Sequence, residues 1–509
     1  MTTHDGGVPE ATTTGGAFVA RIGAENNGHT RGGAPDPPGP PTIDDEHDSE
    51  QGHAPEQHHG QLRFAERFCG QHGDSFLHAH GVGWHEFDGT RWAPCLDGAE
   101  TRAMLATIKK ALAELPHLDK RDRDQLYGDI SKVESRTGLV GALALAGDLH
   151  PCAIAAAALD RDPYLLNTAS GTVDLRTGLP RVADPADHLS KVTVGRFDPD
   201  ARSNLFDDFL GSTQPDPKMR AFLARSLGSA LLGKVREHVL LIWHGTGANG
   251  KGTLRDAARH AVGDYAVEMP ADILLQSKYG PQAMAPERMR LKGVRLAFCS
   301  EVDRGAHLDE ATMKKLTGGD PINACLKYKN PVEFDPSHTL VMLTNHLPKV
   351  RGDDPAVWRR ILAVPFDEVV ADEDQDGELP EKLKACADAV LAWLWHGWLD
   401  YQKQGLNPPE PVTAATRKYQ LDSDVLARFL ADEDVVFTGR GRVKSAALYQ
   451  AFLGWATGEG ERFDLSNRAF TAAMEARGYK RRATKAGAVW DGVALVCADF
   501  EAPNGGHAL

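Results

Sequence analysis

The sequence predicts an α/β fold in which short apolar strands end at polar side chains. Residues 240–243 are apolar and lead into a glycine-rich turn followed by a helix-forming sequence. Residues 295–299 precede acidic residues, and a third apolar run ends at Asn345. Buried strands of parallel sheets are short and continuously apolar, and ligands bind at their carboxyl ends. The sequence therefore predicts a site at this edge of a parallel sheet.

The composition is that of an ordinary globular protein. The chain has 509 residues, of which 41% are hydrophobic and 25% charged, and this length suits about two to four domains. It has no apolar run of about 18 residues and no secretory signal, so we expect a cytoplasmic protein without a membrane partner. Its seven cysteines lack the CxxC spacing of zinc sites, which argues against a structural metal or a disulfide framework.

Residues 1–60 are predicted to form a disordered acidic tail. The segment holds ten acidic residues and two arginines, so it carries −8 of the net charge of −14. It is rich in Gly, Pro, Thr and His, a composition that buries too little apolar surface to offset the entropy lost on folding. Its histidines could bind a metal, but the intervening prolines and acids favour a solvated tail.

An N-terminal folded region is predicted at residues 61–203. Order is expected to begin near Gln61 with a helix, and a hairpin is predicted around Asp88-Gly89. A small helical stretch then continues to about Gly147, and strand-like segments broken by glycine and proline follow it. This region therefore precedes the strand that leads into the glycine-rich turn.

The glycine-rich turn has the spacing of a phosphate-binding loop. Gly245 is followed after four residues by Gly250 and Lys251, between a strand and a helix. Such glycines let backbone N–H groups surround phosphates, and the lysine contacts the β- and γ-phosphates. A glycine-rich loop without nucleotide is the alternative, and strand, spacing and lysine together disfavour it. The residues predicted to bind nucleotide are Gly245, Thr246, Gly247, Ala248, Asn249, Gly250, Lys251, Gly252 and Thr253.

The expected metal ligands are a hydroxyl and a carboxylate. Gly252 stands where such loops usually have serine or threonine, so Thr253 is expected to bind Mg²⁺, through a shifted helix start. Glu301, after the strand at 295–299, is expected to bind Mg²⁺ and to orient or deprotonate the attacking water. Asp303 is a reserve candidate, for which a solvated acid is the better explanation.

Asn345 and two arginines complete the predicted catalytic set. The Asn345 amide can hold a water against the γ-phosphate from a neighbouring strand end. Arg359 and Arg360 follow shortly before another apolar strand. Guanidinium groups stabilise the charge of a transferring phosphoryl group, often from a neighbouring subunit, although ion pairs with carboxylates would also explain them.

The order of these motifs resembles superfamily 3 helicases. The segments GTGANGKGT, SEVDRG, KKLTGGDPINACLKYKN, TNHLP and WRRI are similar to the A, B, B′, C and arginine motifs of that group. The likeness is greatest to the phage and plasmid primases of the P4-family C-terminal type and to the poxvirus D5-like proteins. It implies a D5 N-terminal-like region at 61–203 and an AAA+-related P-loop ATPase core with a parallel sheet at 204–372, including the preceding helices.

The resemblance also implies partners. The core would bind ATP and Mg²⁺, assemble into a ring, expected to be a hexamer, and move along single-stranded DNA. The B′ motif would contact DNA through Lys314, Lys315, Lys327 and Lys329, which flank the turn Gly318-Gly319-Asp320, as a glycine-bent hairpin. A solvated lysine face is an equal alternative for Lys314 and Lys315.

The C-terminal part is predicted to contain a helical extension at 373–432 and a small winged-helix-like domain at 433–509. Ser466 can cap a helix and Gly478 can end it. A hairpin wing would then carry the expected DNA contacts, and a protein-docking module is the alternative reading. The basic residues of the wing are Lys480, Arg481, Arg482 and Lys485.

The leading hypothesis is an ATP-dependent DNA helicase of replicative, phage, plasmid or mobile-element type. It would act on single-stranded and forked DNA, beside a separate primase or polymerase. An ATP-regulated initiator or loader without productive unwinding is the alternative, and Asn345 with the arginine pair disfavours a small-molecule kinase. We expect no primer synthesis, because only the tail and a small region precede the core, and the DxD pattern at 122–124 fits a solvated helical face.

Overall fold

A computed structural model of the chain describes residues 58–276, 284–300, 305–325, 331–350, 354–459 and 465–496. The predictions made for residues 1–57 and for Glu301, Asp303, Lys327 and Lys329 lie outside these residues. In the described part of the chain, no helix is long and apolar enough to cross a membrane.

The N-terminal region combines four helices with two small sheets. In chain order its elements are α1 (Gly60–His72), β1 (Phe76–Ala79), β2 (Gly83–Phe87), β3 (Trp92–Pro94), α2 (Ala99–Glu114), α3 (Lys120–Val133), α4 (Arg136–Ala146), β4 (Ala153–Ile154), β5 (Leu165–Thr168), β6 (Gly171–Asp174) and β7 (Leu179–Arg181). The predicted hairpin around Asp88-Gly89 is confirmed, because β2 and β3 are antiparallel with Phe87 opposite Trp92. The DxD residues 122–124 are exposed on α3.

The central part of the described chain is a parallel sheet with helices on both faces. Its elements are α5 (Asn204–Thr213), α6 (Pro217–Ser229), β8 (Leu240–His244), α7 (Lys251–Val262), β9 (Ala266–Pro270), α8 (Ala285–Met289), β10 (Leu296–Ser300), α9 (Glu310–Leu316), β11 (Ile322–Ala324), β12 (Val332–Phe334), β13 (Thr339–Thr344), α10 (Pro355–Trp358) and β14 (Ile361–Pro365). The strand order is β14-β8-β13-β10-β9, with all neighbours parallel.

Both faces of this sheet are covered by separate cores. Leu241 and Trp243 of β8 belong to a core shared with α5, α6 and α7. Leu240 and Ile242 of the same strand belong to a second core on the opposite face, which includes residues of α9. Because successive side chains of a strand point to opposite faces, a strand covered on both sides is apolar throughout. This is the pattern from which the strands were predicted.

The B′ segment differs from its sequence-based prediction. The turn at Gly318-Gly319-Asp320 does not bend a hairpin, since it connects α9 to β11. The antiparallel hairpin is formed by β11 and β12, with Ile322 opposite Phe334. Both strands bury apolar side chains in the second core.

The C-terminal part continues with helices and ends in a small sheet. Its elements are α11 (Leu379–Lys384), α12 (Ala387–Gln404), α13 (Glu410–Ser423), α14 (Val425–Ala431), β15 (Val436–Lys444), α15 (Ser445–Gly458), α16 (Asn467–Ala476), β16 (Lys480–Thr484) and β17 (Gly487–Leu495). Ser466 caps α16 by accepting a hydrogen bond from Ala469 N at 3.3 Å. β16 and β17 form the predicted hairpin, and β15 adds a strand to β17 that the sequence reading missed.

Candidate functional site

Two glycines of the loop between β8 and α7 have no room for a side chain. Gly250 has a φ of +78°, and a Cβ atom there would lie 2.3 Å from Thr213 Cγ2 of α5. A Cβ atom at Gly245 would lie 2.2 Å from the backbone oxygen of Phe366. Larger residues at these two positions would therefore displace either the loop or the elements packed against it.

The chain after β14 lies against this loop and binds its backbone. Phe366 N donates to His244 O and Val370 N donates to Ala248 O, both at 2.8 Å. Asn249 is buried and donates from Nδ2 to Phe366 O at 2.8 Å. Two main-chain hydrogen bonds and one from the Asn249 side chain thus join the segment after β14 to the end of β8 and the loop, and they give the loop a definite shape.

Lys251 places a buried ammonium group within this loop. The residue is only 6% exposed. Its Nζ donates to Gly245 O and Asn249 Oδ1 at 2.9 Å each, and to Asn345 Oδ1 at 3.4 Å. Burial lowers the pKa of the Lys251 ammonium from its ordinary value because a low-dielectric environment disfavours the charged form. Among the described residues its hydrogen-bond partners are all neutral oxygens, so the site suits an anion.

Asn345 directly follows β13 and lies beside this loop. The strand pairs directly with β8, with Thr344 opposite His244. Parallel pairing brings the two carboxyl ends together, so the predicted meeting of Lys251 and Asn345 is realised in the structure. The Asn345 side chain is exposed apart from this contact.

Thr253 lies in the first turn of α7, which begins at Lys251. The helix therefore starts at the expected place after Gly250, without the shift that was predicted to bring Thr253 to the metal. Thr253 instead borders a cavity of about 260 Å³ beside the loop. Its role as a Mg²⁺ ligand stays a prediction.

Three polar residues near the end of β10 were missed as a group by sequence reasoning. Arg255 of α7 donates from Nη1 to Ser300 Oγ at 2.8 Å, and Ser300 Oγ donates to Glu268 of β9. Arg255 also lies 3.5 Å from the Glu268 carboxylate. A glutamate within the short strand β9 and an arginine one turn after Lys251 were the available signals. These contacts hold Ser300, the last residue of β10 and the residue before Glu301, against α7 and β9.

Arg359 and Arg360 lie far from this loop within one chain. Arg360 O accepts from Leu240 N, and Ile361 pairs with Leu240, the first residue of β8. The arginines therefore sit at the amino edge of the sheet, about 15 Å from its carboxyl edge, given the rise of about 3.3 Å per strand residue. Arg359 is exposed, whereas Arg360 is half-buried and its Nε is buried.

The basic residues predicted to contact DNA differ in their surroundings. Lys314 is half-buried and donates to Asp354, and this hydrogen bond holds the pKa of the Asp354 carboxyl below its usual range. Lys315 is exposed. An ion pair within the chain makes Lys314 a weaker candidate for a phosphate contact than Lys315.

The basic residues of the β16–β17 hairpin are all exposed. Lys480, Arg481 and Arg482 lie on β16, and Lys485 lies in the turn that follows. Arg482 is paired at 2.7 Å with Asp491, which also binds Arg442 of β15. Lys480, Arg481 and Lys485 therefore present more accessible charge than Arg482.

Comparisons with known proteins agree with the predicted family. Residues 63–215 match the family described as D5 N terminal like, and residues 243–360 match a family of unknown function, DUF5906. "Putative helicase L207/L206" of Acanthamoeba polyphaga mimivirus is 26% identical over 411 residues, 73% of this chain and 43% of that protein. "Putative helicase 022R" of Frog virus 3 is 30% identical over 44% of this chain and 25% of that protein.

A third relative carries a different name. "Putative primase C962R" of African swine fever virus, strain Badajoz 1971 Vero-adapted, is 21% identical over 54% of this chain and 31% of that protein. The chain thus spans less than half the length of each of these three relatives. Among solved structures, the apo C-terminal region of NrS-1 is matched at 12% identity with a TM-score of 0.36, over 59% of this chain and 84% of that one.

The fold defines the class, a mixed α/β protein with a parallel sheet in which Asn345, directly after β13, contacts Lys251, which follows the loop after β8. Within that class, the D5 N terminal like match and the relatives named helicase or primase support the D5-like primase-helicase family that the motifs predicted.

Proposed function

We propose that the chain is the ATP-driven motor of a DNA helicase. The observation that carries the proposal is the Lys251 ammonium, which is buried at the end of β8 and held by the neutral oxygens of Gly245, Asn249 and Asn345. The phosphates of a nucleotide bound by the loop would place negative charge beside this buried ammonium group. That charge would offset the free-energy cost of removing the cation from water. The relatives named as helicases support the same function.

The sheet supports an AAA+-related P-loop core. The strand that leads into the loop, β8, has the Asn345-bearing strand β13 on one side and β14 on the other. In this proposal Lys251 binds the β- and γ-phosphates of ATP, and Asn345 positions the attacking water. Mg²⁺ would be held by Thr253 and Glu301, with Asp303 in reserve, and would neutralise phosphate charge during hydrolysis.

The position of the arginines supports a ring with shared sites. Arg359 and Arg360 lie at the opposite edge of the sheet from Lys251 of the same chain. An arginine there reaches bound ATP only if the ATP belongs to another subunit, which is how a ring, expected to be a hexamer, would use it. Exposed Arg359 suits this role better than Arg360, whose Nε is buried.

Single-stranded DNA would be contacted by the β11–β12 segment and duplex DNA by the C-terminal hairpin. The proposed contacts of the first are Lys327 and Lys329, together with Lys315 of the preceding helix α9. The second offers Lys480, Arg481 and Lys485. An initiator or loader without unwinding activity remains the second candidate, since its DNA contacts and ATPase would use the same residues.

ATP hydrolysis by the purified chain tests the proposal, measured with and without single-stranded DNA and together with the oligomer mass. We expect DNA to stimulate hydrolysis, and we expect Lys251→Ala to reduce it to background in a protein that remains folded. Lys218→Ala is the matched control, because Lys218 is exposed on α6. Full activity in the Lys251→Ala variant would refute the site, and stimulated hydrolysis without strand displacement on a forked substrate would favour the initiator or loader.

A further inference from the structure

The strand β15 contains a bulge that carries an arginine outside the predicted DNA contacts. The pairing of β15 with β17 changes register between Thr438 and Arg442. Gly439 and Gly441 within this stretch both have a φ of +92°, which other residues rarely adopt. Arg440 lies between them and is exposed. Because a bulge redirects the side chains of its strand, this glycine-arginine-glycine sequence suits the presentation of a cation at the sheet surface.

Beyond the bulge, the two outer strands of this sheet place cations on one face. Directly paired residues of neighbouring strands point to the same face of a sheet. Among the residues described for these strands, four cations pair with Asp491 or Val489 of β17, namely Arg442 and Lys444 on β15 and Lys480 and Arg482 on β16. All four are exposed. Trp490, between the two β17 residues, is fully buried, so the cationic face points away from the core.

The four cations form two rows, one on each outer strand. Within a row the two residues are about 6.7 Å apart, which is the rise of two strand residues. The rows are separated by β17 and therefore by two strand spacings, about 9.5 Å. The phosphates of a DNA duplex face each other across a minor groove about 6 Å wide, and the long side chains of arginine and lysine span the difference. The spacing therefore suits phosphates on both strands of a duplex.

An acid lies between the two rows. Asp491 accepts hydrogen bonds from Arg442 Nε and from Arg482 Nη2, each at 2.7 Å. The bond from Arg442 holds the pKa of the Asp491 carboxyl below its usual range, so the group is charged at neutral pH. A phosphate that approaches either guanidinium competes with this carboxylate and is repelled by its charge. Asp491 therefore lowers the affinity of the face for phosphates.

We propose that the outward face of this sheet binds phosphates on both strands of a DNA duplex, with Arg440, Arg442 and Lys444 of β15 as its second row, and that Asp491 limits the affinity. The inference rests on the proposed function, because it takes DNA to be the substrate. It adds to the hairpin a strand that lies outside it and that none of the predicted contacts includes. The ligand is the phosphodiester backbone, so binding does not depend on base sequence.

Removal of the β15 row tests this face. The row variant replaces its three cations: Arg440→Ala, Arg442→Ala and Lys444→Ala. We expect it to bind duplex DNA at least about tenfold more weakly at low salt, and to flatten the salt dependence by up to about 0.9 log unit per lost contact. The matched control removes two arginines and one lysine that are exposed on α3: Lys120→Ala, Arg121→Ala and Arg123→Ala. The control should keep the wild-type affinity and salt dependence.

The variant Asp491→Asn tests the face in the opposite direction. Asparagine keeps the size of the side chain and removes its charge, so we expect the affinity for duplex DNA to rise about two- to fivefold. A variant that failed to fold would not gain affinity, so this measurement is independent of stability. Asp124→Asn, at an exposed acid of α3, is the matched control and leaves the affinity unchanged.

The outcomes separate this face from the proposed function. Wild-type duplex affinity in the row variant overturns the face, leaves the hairpin contacts standing and favours an acidic protein as the partner of β15. Unchanged or lower affinity in Asp491→Asn overturns the limiting role of the acid. Wild-type protein that hydrolyses ATP but binds no duplex refutes the face and leaves the ATP site standing. Wild-type protein that binds duplex through the β15 row but hydrolyses no ATP refutes the motor and leaves the face.

Discussion

At the scale of single residues, the site depends on how neutral groups hold a buried cation. Asn249 donates to Phe366 O with its nitrogen and so presents its oxygen to Lys251. This arrangement couples the lysine to the chain that follows β14. Asn249 therefore has a positioning role that its place among the loop residues did not reveal.

Gly250 and Gly252 provide a matched pair for a test of the loop. Gly250→Ala places a Cβ 2.3 Å from Thr213 Cγ2 at a φ of +78°, so we expect it to lower the free energy of unfolding by about 1–3 kcal/mol. Gly252 is helical with no atom within 4 Å of an added Cβ. Gly252→Ala should be neutral or stabilise by up to about 1 kcal/mol. Denaturant unfolding measures both, and equal effects would contradict the packing argument.

At the scale of elements, the C-terminal hairpin combines exposed charge with an internal acid. Asp491 on β17 binds both Arg442 and Arg482 at 2.7 Å. Its carboxylate has a pKa below the usual range because Arg442 donates to it. The acid therefore stays charged near neutral pH and reduces the net positive charge of the hairpin.

Removal of basic residues from this hairpin should weaken DNA binding broadly across sequences. The triple variant Lys480→Ala, Arg481→Ala, Arg482→Ala is expected to flatten the salt dependence of duplex affinity by up to about 0.9 log unit per lost phosphate contact. Basal ATP hydrolysis should barely change. A control that removes Lys109, Lys110 and Lys120, exposed lysines of the N-terminal region, should keep the wild-type slope. An unchanged slope in the hairpin variant would indicate a protein-docking module instead.

At the scale of the whole molecule, buried hydrogen bonds join the N-terminal region to the residues around the sheet. Arg295, which directly precedes β10, is buried and donates to Leu231 O and Leu165 O. Its guanidinium also lies 4.4 Å from the centre of the Tyr265 ring. Tyr265 in turn accepts a hydrogen bond from Asn167 N at 3.1 Å. The two regions are therefore held together through groups that would be costly to leave unpaired.

The ring can be tested by mixing two inactive proteins. Lys251→Ala and Arg359→Ala should each be nearly inactive alone, because each ATP site is built from two chains. After subunit exchange, some interfaces join an intact Lys251 to an intact Arg359, and ATP hydrolysis should partly return. We expect Arg360→Ala not to complement Lys251→Ala, since Arg360 is half-buried in its own chain.

Two controls make the mixing experiment decisive. Labelled subunits establish that exchange occurs, and titration of each variant into wild-type protein shows whether one inactive subunit stops the whole ring. Complementation by Arg360→Ala instead of Arg359→Ala would reverse the assignment. Failure of both variants, with exchange shown and no poisoning of the ring, would refute the shared site.

The strand, loop and helix around Lys251 were predictable because their signals are local. Apolar runs buried on two faces, glycines that permit tight turns and a lysine at set spacing all lie within a few residues of one another. The hairpin at Asp88-Gly89 and the Ser466 cap were predictable for the same reason. By contrast, the strand at 436–444 has the polar sequence TGRGR within it, and only pairing with β17 makes it a strand.

By itself, the sequence determined the local elements, the phosphate-type loop and the likeness to a family. Tertiary structure alone decided the strand order, the partner of Lys314 and the place of the arginines at the edge opposite Lys251. It also decided that α5 and α11, far apart in sequence, form one cavity beside the loop. The physical reason is that periodicity and turn chemistry act between near neighbours, whereas pairing and burial depend on contacts between distant residues.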